Sequence, residues 1–304
     1  MVEPIRDQEQ AIADALLAEQ EDTPHLAPQP QLAPVEFPQV IVNNRPLREI
    51  TAEIVQVLQI ANSPPHLFIQ AGQLVRLRQD ERGHVWLEPV SELHLRRRLS
   101  LVADVVHATG AHNEQVWHVF PSLTLMRDVL AMDVWPFPAV EGIVETPIVR
   151  PDGSLLTLPG YDALTRLIYR PAPGVTFPPL SPAPTPEDIQ RALALLDEAI
   201  GEFPYVDDAS KANALGLLLT PILRTAIAGP VPLALIDAPQ AGTGKSLLTR
   251  VLALIATGRS AAIMTAPAGD EEFRKKITAT LLSGTSLILL DNVEAPLLTN
   301  GVSF

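Results

Sequence analysis

The sequence predicts an α/β fold: a parallel sheet crossed by helices over residues 187–304, preceded by a small α+β module and a β-rich segment. Two apolar runs carry the sheet. Leu233-Ala234-Leu235-Ile236-Asp237 and Ser286-Leu287-Ile288-Leu289-Leu290-Asp291 each have the length of a central strand covered on both faces, and each ends in an acid. Helical spacing over 245–257 and 271–283 supplies the crossings, with a further strand expected near 261–265.

The elements follow in order. Residues 1–40 form an acidic, proline-rich tail that reads as disorder or as a short amphipathic helix on Ile5, Ile12, Leu16 and Leu17. A small α/β module spans 41–110. Ile50, Ile54, Val57, Leu58 and Ala61 recur at helical spacing until Ser63-Pro64-Pro65 stops them. Residues 66–70 and 74–78 read as a hairpin about Ala71-Gly72, with a third strand at 84–87. Ser91 opens a helix whose apolar face is Leu95, Leu99, Val102 and Val106, and Gly110 ends it. Residues 111–170 hold a short helix after Pro121, then β-hairpins signalled by Pro151-Asp152-Gly153 and Pro159-Gly160. Seven prolines in 171–186 read as a linker. Helices at 188–200 and 211–227 lead into the segment 187–304.

Composition narrows the function classes. With 304 residues and 47% apolar content the chain can bury substantial cores. There is no cysteine, which excludes disulfides and thiolate metal sites. No apolar run has the length of a membrane span, and the N-terminus lacks the basic and apolar parts of a signal peptide, so a cytoplasmic protein without membrane contact is expected. The net charge of −13 argues against a broad nucleic-acid-coating surface. Eight acids and one base fall in residues 1–40, which leaves room for local basic patches elsewhere. Arg76, Arg78, Arg82, Arg96, Arg97 and Arg98 are the densest such group. They suit either a nucleic-acid backbone or a solvated face paired with Glu88 and Glu92, and the latter is the plainer reading. The seven histidines are scattered, with no metal-ligand spacing and no catalytic triad.

The chemistry concentrates in Pro239-Gln240-Ala241-Gly242-Thr243-Gly244-Lys245-Ser246-Leu247, between the first apolar run and a helix. A glycine-rich loop opening a helix with Gly-Lys-Ser directs backbone N–H groups at a polyphosphate. Lys245 reaches the outer phosphates, and the Ser246 hydroxyl joins the shell of a Mg²⁺ ion. Pro239 stands where this loop pattern has its first glycine, but the amides that follow remain. Asp291, at the carboxyl end of the second run, is placed to hold the same metal. Asn292 and Glu294 point to one side if the strand continues, and either could orient an attacking water.

Three groups of residues carry a resemblance. They are Glu145-Thr146-Pro147-Ile148-Val149-Arg150-Pro151-Asp152-Gly153, Pro159-Gly160-Tyr161-Asp162, and the loop 239–246 taken with Leu289-Leu290-Asp291-Asn292-Val293-Glu294. Through them the chain resembles the helicase-like P-loop ATPases encoded beside primases in phages and integrated mobile elements, near the superfamily three helicases of the AAA+ class. The module at 46–110 is similar to the upstream part of those proteins. The resemblance implies a P-loop NTPase core over 187–304, present in part, with ATP and Mg²⁺ as cofactors. It implies a DNA-stimulated ATPase of replication, hexameric when complete, whose partners are single-stranded DNA and a primase or other replication proteins. In that family the sensor asparagine and the arginine finger follow the Walker B aspartate by more residues than remain before Phe304. A fragment with slow hydrolysis is therefore expected, unless Arg259 or Arg274 acts as the finger. The other readings are a non-catalytic nucleotide-binding adaptor and a small-molecule P-loop kinase.

Overall fold

The computed structural model describes residues 37–81, 83–109, 115–181, 183–240, 242–265, 269–285, 287–291 and 293. Of the expected tail 1–40, residues 1–36 lie outside the described residues, as do Arg82 and Gly110, whereas Gln39 and Val40 belong to a strand and Val40 is buried. The chain is mixed α/β, with several small sheets that include parallel pairs. Among the described residues no helix is long and apolar enough to cross a membrane.

The first layer joins two sheets and three helices. Strand β1 (Gln39–Ile41) pairs in parallel with β5 (Asp104–Thr109), which pairs antiparallel with β6 (Gln115–His118). Between them come helix α1 (Leu47–Ile60), the antiparallel meander β2 (Leu67–Gln70), β3 (Gln73–Gln79) and β4 (Val85–Pro89), and helix α2 (Glu92–Ser100). Helix α3 (Leu123–Leu130) follows, opened by Ser122, whose hydroxyl accepts from the Leu125 amide. Ile50, Ile54 and Leu58 of α1, Leu95 and Leu99 of α2, and Met126 and Val129 of α3 share one core.

The expected helix from Ser91 to Gly110 is shorter. It stops at Ser100, and Val102 and Val106 leave it; Asp104–Thr109 is a strand. The two valines fall at helical spacing by coincidence. The β-branched pair Val105-Val106 favours the pleat, and the long-range partner β1 accepts it.

A second core runs across residue 110. Phe68, Val75, Val85 and Leu87 of the meander pack with Val140, Ile143 and Ile168. The β-rich segment supplies β7 (Gly142–Val144), the hairpin β8 (Ile148–Val149) and β9 (Leu155–Leu156), and the hairpin β10 (Gly160–Asp162) and β11 (Leu167–Tyr169). β11 also pairs in parallel with β7. The turn between β8 and β9 is the Pro151-Asp152-Gly153 signal; Gly153 takes φ +82°, and the Asp152 carboxylate accepts from the Ser154 amide.

Past the proline-rich segment, α4 (Pro186–Ile200) begins with a capping box between Thr185 and Asp188. Helices α5 (Asp208–Leu223), α6 (Lys245–Thr257) and α7 (Asp270–Leu282) follow, with β12 (Ala262–Thr265) pairing in parallel with β13 (Ile288–Asp291). Ile200 of α4, Ala214 and Leu218 of α5, and Leu248 and Leu252 of α6 form the core of this layer.

The expected strand at 233–237 is absent. The segment is irregular, with Leu233 66% and Leu235 82% exposed. Pro230, Pro232 and Pro239 bracket the run and remove ladder donors at both of its ends. β12 and β13 thus pair with each other alone among the described strands.

Candidate functional site

Helix α6 begins where the glycine-rich loop ends. Gly242 and Gly244 adopt φ +82° and +91°, a left-handed backbone that β-carbon-bearing residues avoid. Gly244 is the helix N-cap and has no side-chain cap, so the first amides of α6 carry the uncompensated positive end of the helix. Leu248 and Leu252, buried against α4 and α5, fix the direction in which that end points.

Three side chains of this segment are held by hydrogen bonds. The Lys245 ammonium donates to the carbonyl of Ala238 at 3.4 Å, which folds it back along the loop. The Thr243 hydroxyl donates to Gln240 O at 3.2 Å. The Ser246 hydroxyl donates to Oδ1 of Asp291 at 3.4 Å. Asp291 arrives there as the last residue of β13, opposite Thr265 in the parallel register. The structure therefore brings Ser246 together with Asp291, while Lys245, beside Ser246 in the chain, is turned toward Ala238. Pro239, Gln240 and Leu247 are exposed at the loop's rim. Ala241, Asn292 and Glu294 lie outside the described residues.

An octahedral Mg²⁺ with ligands at about 2.1 Å places neighbouring oxygens about 3 Å apart. The hydroxyl of Ser246 and the carboxylate of Asp291, both hard oxygen donors, fit that demand after a small adjustment. No group of three or more His, Cys, Asp or Glu side chains suited to a metal occurs among the described residues.

A cleft of about 820 Å³ opens beside the loop, a volume typical of small-molecule sites. It is lined by Phe203, Tyr205, Asn213, Leu217, Leu233, Leu235, Gly244 and Lys245, among others. A Cβ on Gly244 would sit 3.4 Å from the Phe203 ring, so the ring touches the loop itself. Sequence reasoning missed this cleft, because Phe203 and Tyr205 lie between two helices with no periodic signal of their own. The Tyr205 hydroxyl is buried without a hydrogen-bond partner, and burial pushes its pKa up.

The basic cluster is largely used internally. Arg76 donates to Glu88 at 2.7 Å and contacts His94, Arg78 lies over the Trp86 ring, and Arg98 donates to the carbonyl of Ala61. The hydrogen bond from Arg76 holds the Glu88 carboxyl below its usual range. Glu92 pairs with Arg127 rather than with its own helix. Arg96 lies over the exposed ring of Phe120 and Arg97 faces solvent.

Arg259, one of the two candidate fingers, is committed elsewhere. It binds the buried carboxylate of Glu145 at 2.7 Å and the carbonyl of Val85 at 3.1 Å. Arg274 lies on the exposed face of α7.

Searches against family models, curated proteins and solved structures give no match.

Proposed function

We propose that the chain binds ATP with Mg²⁺ at the amino end of α6 and acts as a helicase-like ATPase in DNA replication of a phage or mobile element. The observation that carries the nucleotide reading is the meeting of Ser246 with Asp291 at a helix start preceded by two left-handed glycines. Amides from Gly242 to Lys245 would donate to phosphate oxygens, and the positive helix end would favour their charge. Lys245 would leave the Ala238 carbonyl for the outer phosphates. Ser246 and Asp291 would hold the ion, which when bound neutralises phosphate charge. The nucleoside would enter the cleft between Tyr205 and Leu235. The replication context, with single-stranded DNA, a primase and a ring of copies as partners, rests on the motif resemblance.

One observation favours a second reading, a nucleotide-binding subunit with little turnover of its own. Arg259 is paired with Glu145, and no arginine lines the cleft among the described residues.

Titration of a fluorescent ATP analogue in Mg²⁺ tests the proposal. Wild type should bind and Lys245→Ala should lose most of the affinity. Equal affinity in the two would remove the loop from the site.

A further inference from the structure

The segment Ile143–Val149 contains the start of the motif Glu145–Gly153 and lies far along α6 from the phosphate loop. It runs beneath the carboxyl ends of three helices in turn. Ile143 approaches Gly284 just past α7; a Cβ there would lie 3.6 Å from Ile143 Cδ1. Glu145 meets Arg259 just past α6 at 2.7 Å. The Thr146 hydroxyl donates to the Ala256 carbonyl in the last turn of α6 at 2.8 Å. Thr225, after α5, donates its hydroxyl to the carbonyl of Val149.

The contact at α6 is the most specified of these. Glu145 is 7% exposed, and Arg259 places Nε and Nη2 on the same carboxylate oxygen. Nη2 also binds the carbonyl of Val85 in β4, so one guanidinium ties α6, β7 and the meander together. Gly258 takes φ +74° and a Cβ on it would fall 2.8 Å from Glu145 Cβ, so only glycine admits the approach. Thr146 satisfies a helix-end carbonyl that has no partner within α6. The helix that opens at the phosphate loop is thus pinned at its far end to the amino-terminal body.

We propose that Glu145, Thr146 and Arg259 are positioning residues that couple nucleotide occupancy at the loop to the stability of the amino-terminal body, residues 39–169. The inference rests on the nucleotide reading above. The ligand stabilises α6, and the pinned end of α6 passes that stabilisation to β7 and β4. Without the pin, only the Thr225–Val149 bond and the approach of Ile143 to Gly284 would carry it across.

The molecule carries its own reporter. All three tryptophans, Trp86, Trp117 and Trp135, belong to the amino-terminal body, while the proposed ligand binds the other layer. Thermal unfolding of the full chain is followed by tryptophan fluorescence and by far-UV circular dichroism, to which the long helices α4–α7 contribute strongly. Scans are run with and without Mg²⁺ and a non-hydrolysable ATP analogue. In wild type both signals should rise together by roughly 5–10 °C at about a hundredfold excess over Kd. In Glu145→Gln/Arg259→Gln, which leaves no lone buried charge, the dichroism shift should persist and the tryptophan shift should fall well below it. Arg259→Lys, which keeps the charge, and Thr146→Val should lie between; they also serve if the double variant does not fold. A tryptophan shift equal to wild type in the folded variants overturns the assignment. A wild type with a dichroism shift and no tryptophan shift overturns the coupling while leaving the nucleotide site intact. No shift in either signal, with no analogue bound, overturns the nucleotide reading and the coupling with it.

Discussion

The hydroxyl of Ser246 lies 3.4 Å from the carboxylate of Asp291, across 45 residues of chain. One group opens a helix and the other closes a strand. Only the parallel pairing of β12 with β13 and the seating of α6 on α4 and α5 bring them to one point. The proposed use of the pair is to hold a cation beside a phosphate at the positive end of the helix.

The first prediction concerns that pair. Asp291→Asn keeps the shape and removes the charge. It should weaken Mg²⁺ dependence of nucleotide binding by roughly tenfold or more, with a smaller effect on nucleotide affinity measured without the metal. Ser246→Ala should act in the same direction. An unchanged Mg²⁺ titration in Asp291→Asn would make the contact structural.

A second prediction follows from Asp162. Burial pushes its carboxyl pKa up, but hydrogen bonds from Arg150 and Thr165 outweigh that and hold it below the usual range. A lowered folded pKa contributes stability above the unfolded value, about 3.9, and that contribution is lost as pH falls through the folded value. Asp162→Asn should therefore destabilise the chain at neutral pH and flatten the acid limb of its stability profile below about pH 4. Urea midpoints measured across that range would show it; parallel acid limbs would refute it.

Asn62 gives the third. It is buried, and its amide donates to Leu67 O at 2.9 Å while its oxygen accepts from the amides of His66 and Leu67. Alanine there orphans two donors and one acceptor, at a cost of roughly 2–4 kcal/mol. Tyr205→Phe is the converse case. It deletes a buried hydroxyl that has no partner, so stability should change by less than about 1 kcal/mol or rise. Denaturant unfolding of the two variants side by side separates them.

Local patterns made some of this architecture legible and left the rest hidden. Residues 245–257 form α6 as the spacing and the Gly-Lys-Ser start indicate, because a helix is specified within its own window. Ser246 and Asp291 were nameable for the same reason, one at a helix start and one at a strand end. The run at Leu233 misled because apolar length alone does not make a strand. It needs a partner and donors, and the flanking prolines withhold them. The pairing of β1 with β5 has no local trace, since its two strands lie on either side of α1, the meander and α2. Glu145 and Arg259 are 114 residues apart, and neither carries a pattern that announces the other.

The last prediction is a rate. An arginine placed on the transferring phosphate accelerates related hydrolyses by about 10³–10⁵. Arg259 is held by Glu145 and Val85 and cannot reach the loop without breaking that buried junction. Arg150 and Arg166, in the β-rich segment, pair with Asp162 and Glu141. With no arginine among the described lining of the cleft, the purified chain should bind ATP yet hydrolyse it at about 10⁻³ s⁻¹, near the unassisted rate of a P-loop site. Arg259→Lys should leave that rate unchanged while lowering the unfolding temperature. Steady-state phosphate release with single-stranded DNA present decides it. Turnover near one per second that is lost in Arg259→Lys would show that the Glu145 junction opens during the cycle and delivers the arginine to the phosphate.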